Sequence, residues 1–133
     1  YEAQPDHRLY TTVIVAWTSQ KSVGFGQRVR ISRRADALLA KMWSLHHSGA
    51  FKNIQPTVHT YNHVIGYMKL AGRPDRAEDL LIEFNKYHFR GLFKQRAPPN
   101  MYRIVIQAWE GSRDEDRERH IAALAREMRK TGR

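Results

Sequence analysis

Apolar positions along this chain recur with the period of an α-helix, in two patterns that alternate. The first opens with an aromatic residue, two variable positions and two β-branched ones. It occurs as Tyr10-Thr11-Thr12-Val13-Ile14, Tyr61-Asn62-His63-Val64-Ile65 and Tyr102-Arg103-Ile104-Val105-Ile106. A small residue and a second aromatic close each segment, as Ala16-Trp17, Gly66-Tyr67 and Ala108-Trp109. In the first and third segments the two aromatics lie seven positions apart, two helical turns; the second segment closes one position earlier. The second pattern is Ala35, Leu38, Leu39, Met42, then Ala77, Leu80, Leu81, Phe84, then Ile121, Leu124, Ala125, Met128. Offsets of three, four and seven trace one stripe of an amphipathic helix. The chain therefore predicts an all-α fold of about six helices, in three pairs of a helix A with aromatic ends and a helix B with an aliphatic stripe.

Turn and cap residues fall where this reading needs them. Pro5-Asp6, Pro56-Thr57 and Pro99-Asn100 precede the three A helices. Proline stops a preceding helix, and Asp, Thr and Asn accept hydrogen bonds from the first free amides. Gly72 and Gly111 are placed to end the second and third A helices. Pro74 suits the first turn of the second B helix. Ser112-Arg113-Asp114-Glu115 fits a capping box for the third. Gly49, Gly91 and Gly132 lie past the B helices, where a left-handed residue is often needed.

The two patterns divide the chain into three repeats, at about 5–55, 56–98 and 99–131. Their period is uneven: Tyr10 to Tyr61 is 51 residues and Tyr61 to Tyr102 is 41. The extra length falls in a first inter-helix segment containing Gly24-Phe25-Gly26, read as a flexible insertion, and in stretched loops at 49–55 and 91–98. Insertion between intact helices is what stacked repeats tolerate. The competing reading is a plain six-helix bundle with coincidental similarity. Matches in both helices of all three pairs, each with a proline and a cap ahead, favour repeats.

Charge adds a partner class to this picture. Lys and Arg number 23 against 13 Asp and Glu, a formal net charge of +10. That balance predicts attraction to polyanions: nucleic acid, an anionic membrane surface or an acidic protein. With no cysteine, disulfides, thiolate metal sites and cysteine catalysis are excluded, and an intracellular or organellar compartment is favoured. No apolar run approaches the roughly 18 residues needed to span a bilayer, and no targeting peptide is visible. The opening at Tyr1 is read as a mature form or a fragment of a longer protein.

The middle unit carries a family resemblance. Pro56-Thr57-Val58-His59-Thr60-Tyr61-Asn62-His63-Val64-Ile65, then Lys69-Leu70-Ala71-Gly72-Arg73, then Ala77-Glu78-Asp79-Leu80-Leu81, resembles a pentatricopeptide repeat. The outer units are similar to it more loosely, through Tyr10 to Trp17 and Tyr102 to Trp109. Tetratricopeptide repeats are the nearest rival, but Val-Ile stands where their first helix carries Leu-Gly. The resemblance implies an α-solenoid whose A helices line a concave face and hold single-stranded RNA. It implies a mitochondrial or plastid setting, in RNA processing, stability, editing, translation or ribosome structure.

What the resemblance implies for residues is specific. The second residue after each A-helix tyrosine, here Thr12, His63 and Ile104, is expected to face the RNA along one positively charged trough. A second specifying position falls on Val58 for the first unit and near Pro99 or Asn100 for the second. Small polar residues at both positions would read one base per repeat. Thr12 with Val58 is half of such a pair, His63 offers a ring for stacking, and Ile104 offers apolar contact alone. The expected base specificity is therefore weak, with a larger share for charge and stacking. For phosphate contact the candidates are Lys21, Arg28, Arg30, Arg33 and Arg34 in the first insertion, Lys41 after it, Lys69, and Lys94 and Arg96 in the second stretched loop. Solvated helix-face charge is the alternative role for many of them.

Other chemistry finds little support. His59 and His63 have helical spacing, but Thr60 stands where a zinc protease needs Glu, and no third ligand is near. His46-His47 read as surface or packing residues. Gly24-x-Gly26 lacks the strand and third glycine of a dinucleotide loop. Asp114-Glu115-Asp116 could supply hydrolytic carboxylates, but at a helix start it more simply complements the helix dipole. No segment resembles a nuclease. The expectation is a non-enzymatic module with no cofactor, no metal, no membrane and no small-molecule substrate. Its partner is single-stranded RNA, with other ribonucleoprotein subunits as further partners. The alternative is a protein-interaction scaffold within a larger ribonucleoprotein such as an organellar ribosome, because three repeats read only about three bases.

Overall fold

The computed structural model describes residues 6–20, 22–49, 51 and 53–131. These form six α-helices and no strand: α1 (His7–Thr18), α2 (Phe25–Ser48), α3 (Val58–Leu70), α4 (Pro74–Phe89), α5 (Pro99–Glu110) and α6 (Arg117–Thr131). The helices pack as two units whose boundary falls inside α3, one ending at Val64 and the other beginning at Ile65. The helices correspond to the alternating A and B patterns. Pro5, Lys21 and Gly132 lie outside the described residues.

In the first unit α1 packs against α2. Asp6 caps α1 as expected, accepting the amides of Arg8 and Leu9 at 3.0 and 3.1 Å. The bond from the Leu9 amide holds the Asp6 carboxyl below its ordinary value; desolvation opposes this and the Arg8 charge reinforces it. Thr57 caps α3 through a reciprocal pair. The Thr60 amide donates to Thr57 Oγ1, and the Thr57 amide donates to Thr60 Oγ1. The same Thr60 hydroxyl, fully buried, meets Thr11 Oγ1 at 2.8 Å. The core adds Ile14, Ile31, Ala35, Leu39, Met42, Trp43 and Ile54. Trp43 Nε1 donates to the buried Tyr61 hydroxyl at 2.7 Å.

The segment holding Gly24-Phe25-Gly26 is not a flexible insertion. Gly24 is the N-cap of α2, and Phe25 and Gly26 are its first turn. The reason lies in a stripe that begins earlier than Ala35. Ile31, Ala35 and Leu39 are spaced by four and all buried, so burial extends the helix a full turn further back. Gly49 closes α2 in the left-handed conformation, with φ of 73°.

In the second unit α4 packs on α5 and α5 on α6. Pro74 opens α4 at its first turn, as expected. Ala77, Leu80, Leu81 and Phe84 are all buried. The stretched segment after α4 folds back onto it. Phe93 stacks on Phe84 at 4.1 Å, and the Asn85 side chain accepts the Ala97 amide at 2.8 Å. Asn85 Nδ2 also donates to the Tyr102 hydroxyl at 2.9 Å. Glu78 ties three helices together. Its Oε1 accepts Trp109 Nε1 at 2.8 Å and lies 3.0 Å from His120 Nδ1, while the His120 ring stacks on Trp109 at 4.1 Å.

Two cap expectations shift. Asn100 is not an N-cap: Pro98 holds that position and Pro99 opens α5. Proline's fixed φ suits a first helical turn, so the helix begins two residues early. Ser112-Arg113-Asp114-Glu115 is a turn and not a capping box, because α6 starts only at Arg117. Ser112 Oγ accepts the Asp114 amide and Asp114 Oδ1 accepts the Asp116 amide, a chain of local bonds that competes with helix. Gly111 ends α5 as expected, in the right-handed conformation.

Candidate nucleic-acid interface

The first unit has a cleft where the N-terminal halves of α1 and α3 approach. Its volume is about 500 Å³ and it is lined by His7, Arg8, Thr11, Thr12, Val15, Thr57 and His59. That volume lies within the range of pockets for small ligands, roughly 300–1,000 Å³. The cap residues place these side chains. Asp6 and Thr57 start the two helices, and the Thr11–Thr60 bond ties their first turns together beneath the cleft.

Thr12 lines this cleft and is exposed, its hydroxyl donating to the Arg8 carbonyl at 2.7 Å. That bond satisfies the donor and leaves the oxygen able to accept. Val58, at the start of α3, is 39% exposed and stands beside the lining residue His59. His59 is exposed, and its ring meets the half-buried His63 edge to face at 4.5 Å. The rings stand at 85° to each other, so the exposed His59 ring alone offers a face for a base to stack on. No cluster of three metal-ligating side chains occurs among the described residues. Arg8 is exposed and forms an ion pair with Asp6 at 3.3 Å, so its charge is partly offset.

His7, Arg8 and His59 line the cleft although sequence reasoning did not place them in the interface. The available signal was position: each falls in the first turn of an A helix whose cap was recognised. The other candidates divide by unit. In the second, Ile104 is half-buried and Asn100 is exposed, while Lys69 Nζ donates to Gln107 Oε1 at 3.0 Å. Arg96 is engaged by its own fold, 3.7 Å from Glu127 and 5.4 Å from the Phe89 ring centre. Lys94 is exposed.

No family model, curated protein or solved structure matches the chain.

Arg28, Arg30, Arg33 and Arg34 stand on α2 and not in a loop. Arg28 is half-buried; the other three are exposed, as is Lys41. His46 and His47 pack around Trp43, His47 stacking on it at 5.7 Å.

A second cleft belongs to the second unit. It lies between α4 and α6, is about 320 Å³, and has Leu81, Ile82, Phe89 and Leu124 among its lining. Ile82 is 45% and Phe89 70% exposed. Glu78, Glu127, Lys86 and Arg96 mark its polar rim.

Proposed function

We propose that the chain is a short helical-repeat module of pentatricopeptide type that binds single-stranded RNA. The observation that carries this reading is the cleft between α1 and α3, where Thr12 lies beside His7, Arg8 and His59. Hydroxyls supply hydrogen bonds to a base edge, imidazole rings supply stacking, and Arg8 supplies charge to a phosphate. Each contribution is modest, which accords with weak sequence preference. The repeat reading draws support from one packing detail that recurs. Trp43 and Asn85 stand eight positions after Ala35 and Ala77, and each donates to the tyrosine that opens the following A helix. In the repeat reading, Thr12, His63 and Ile104 occupy equivalent positions in the three repeats. The setting that goes with the resemblance is a mitochondrion or plastid.

The test is anisotropy titration of a labelled single-stranded RNA. Replacing Thr12 with Val and His59 with Ala together is expected to weaken binding about tenfold or more, since stacking on one ring alone contributes roughly 1–3 kcal/mol per base. Affinity unchanged in that double variant would remove the cleft from the function.

A second reading, a protein-interaction scaffold in a larger ribonucleoprotein, is favoured by the α4–α6 cleft, where Ile82 and Phe89 leave apolar surface in solvent. Replacing both with Ser while RNA binding stays intact would separate the two.

A further inference from the structure

Four exposed cations share one helix face that the cleft does not use. Arg30, Arg33, Arg34 and Lys41 are separated by three, one and seven positions, which places all four on one side of α2. Ala37, Ala40, Ser44 and Ser48 complete that side, and every one of these residues is exposed. The opposite side, with Ile31, Ala35, Leu39, Met42 and Trp43, is buried. Since α2 turns that buried side toward α1 and, through Trp43, toward Tyr61 of α3, the cationic side looks away from the cleft. No carboxylate of a described residue pairs with any of the four cations. Asp36, the one acid within α2, falls outside this side of the helix.

The residues between the cations decide what the face accepts. Single-strand surfaces interleave charge with aromatic platforms on which bases stack. This face has small residues there instead, so it offers no stacking and lets a rigid backbone come close. From Arg30 to Lys41 the cations span about 16 Å at a rise of roughly 1.5 Å per residue. Arg33 and Arg34 stand about 100° apart around the axis, so the cations form a rigid band of fixed spacing. We propose that the outer face of α2 is a binding surface for the phosphate backbone of an RNA double helix. Recognition is by shape and charge across the phosphates, since the narrow major groove of A-form RNA excludes side chains from the bases. The surface stands independently of the cleft, and a protein using both would hold a single strand beside a folded stem.

The experiment titrates the full chain with a blunt RNA duplex of about 20 base pairs, longer than the roughly 16 that a shape-reading domain covers. Parallel titrations use poly(U) and polyglutamate. Four phosphate contacts predict a slope of log affinity against log salt of about −3.6 for a duplex. Changing Arg30, Arg33, Arg34 and Lys41 together to Ala should lower duplex affinity at least about tenfold at moderate salt and flatten that slope toward zero. Poly(U) binding should change less than about twofold, and circular dichroism should stay the same, since all four side chains are exposed. The cleft variant should behave in the opposite way, losing poly(U) and keeping duplex. The proposal is overturned if the parent chain binds no duplex, or if the quadruple variant keeps its duplex affinity. Equal loss for poly(U) and duplex also overturns it, as does polyglutamate binding as tightly as the duplex, which would assign the face to an acidic protein.

Discussion

The buried hydroxyl of Tyr61 shows how one atom specifies a junction. It accepts the Trp43 indole at 2.7 Å with both residues out of solvent. A buried donor left without its acceptor costs the desolvation penalty, about 1–3 kcal/mol. Tyr61→Phe should therefore lower stability by about that amount in chemical denaturation, while Trp43→Phe together with Tyr61→Phe should recover part of it. The Asp6 cap carries a pH signature. Because its carboxyl is held below the ordinary value of 3.8, the stability it contributes is present above that pH. It is lost as pH falls through the depressed value. Urea titrations of the parent and Asp6→Ala should accordingly differ at neutral pH and converge in acid. A gap that stays constant down to low pH would assign the effect to geometry and not to charge.

Helix type and order were legible from periodicity, because the stripes turn their residues inward: Ala77, Leu80, Leu81 and Phe84 are all buried, although in α6 only Leu124 is. The start of α2 was not. Arginines crowd its first turns and glycines flank Phe25, so local composition resembles a loop, and only Ile31 continues the buried stripe. The start of α6 was missed for the converse reason: Ser112 and Asp114 satisfy nearby amides in a turn, and the sequence signature of a cap is the same. Neither the α1–α3 cleft nor the recurrence of the tyrosine bond was readable, since Trp43 and Asn85 share a position but no chemistry beyond an N–H donor. Within α3, Gly66 is helical, and a Cβ added there meets nothing within 4 Å. Glycine inside a helix is about 1 kcal/mol less favourable than alanine. Gly66→Ala should raise the thermal midpoint by several degrees, as about 1 kcal/mol does for a domain of this size. A lowered midpoint would mean the open space is used by something the helix must admit.

For the molecule as a whole, charge governs encounter and the cleft governs what is held. If Arg8 meets one phosphate of a single strand, log affinity should fall with log salt at a slope of about −0.7, against about −3.6 for a duplex on α2. A slope near zero would shift the function toward the scaffold reading. The two buried indoles also equip the chain to report on itself. Trp43 is sealed in one unit against a tyrosine hydroxyl, and Trp109 is sealed in the other against an imidazole ring. Replacing the half-buried Trp17 and one of these two with Phe leaves a single indole emitter in a known unit. Fluorescence then follows each unit separately. Superimposable melting curves from the two emitters would mark one cooperative transition, and divergent curves would reveal a chain that comes apart in stages.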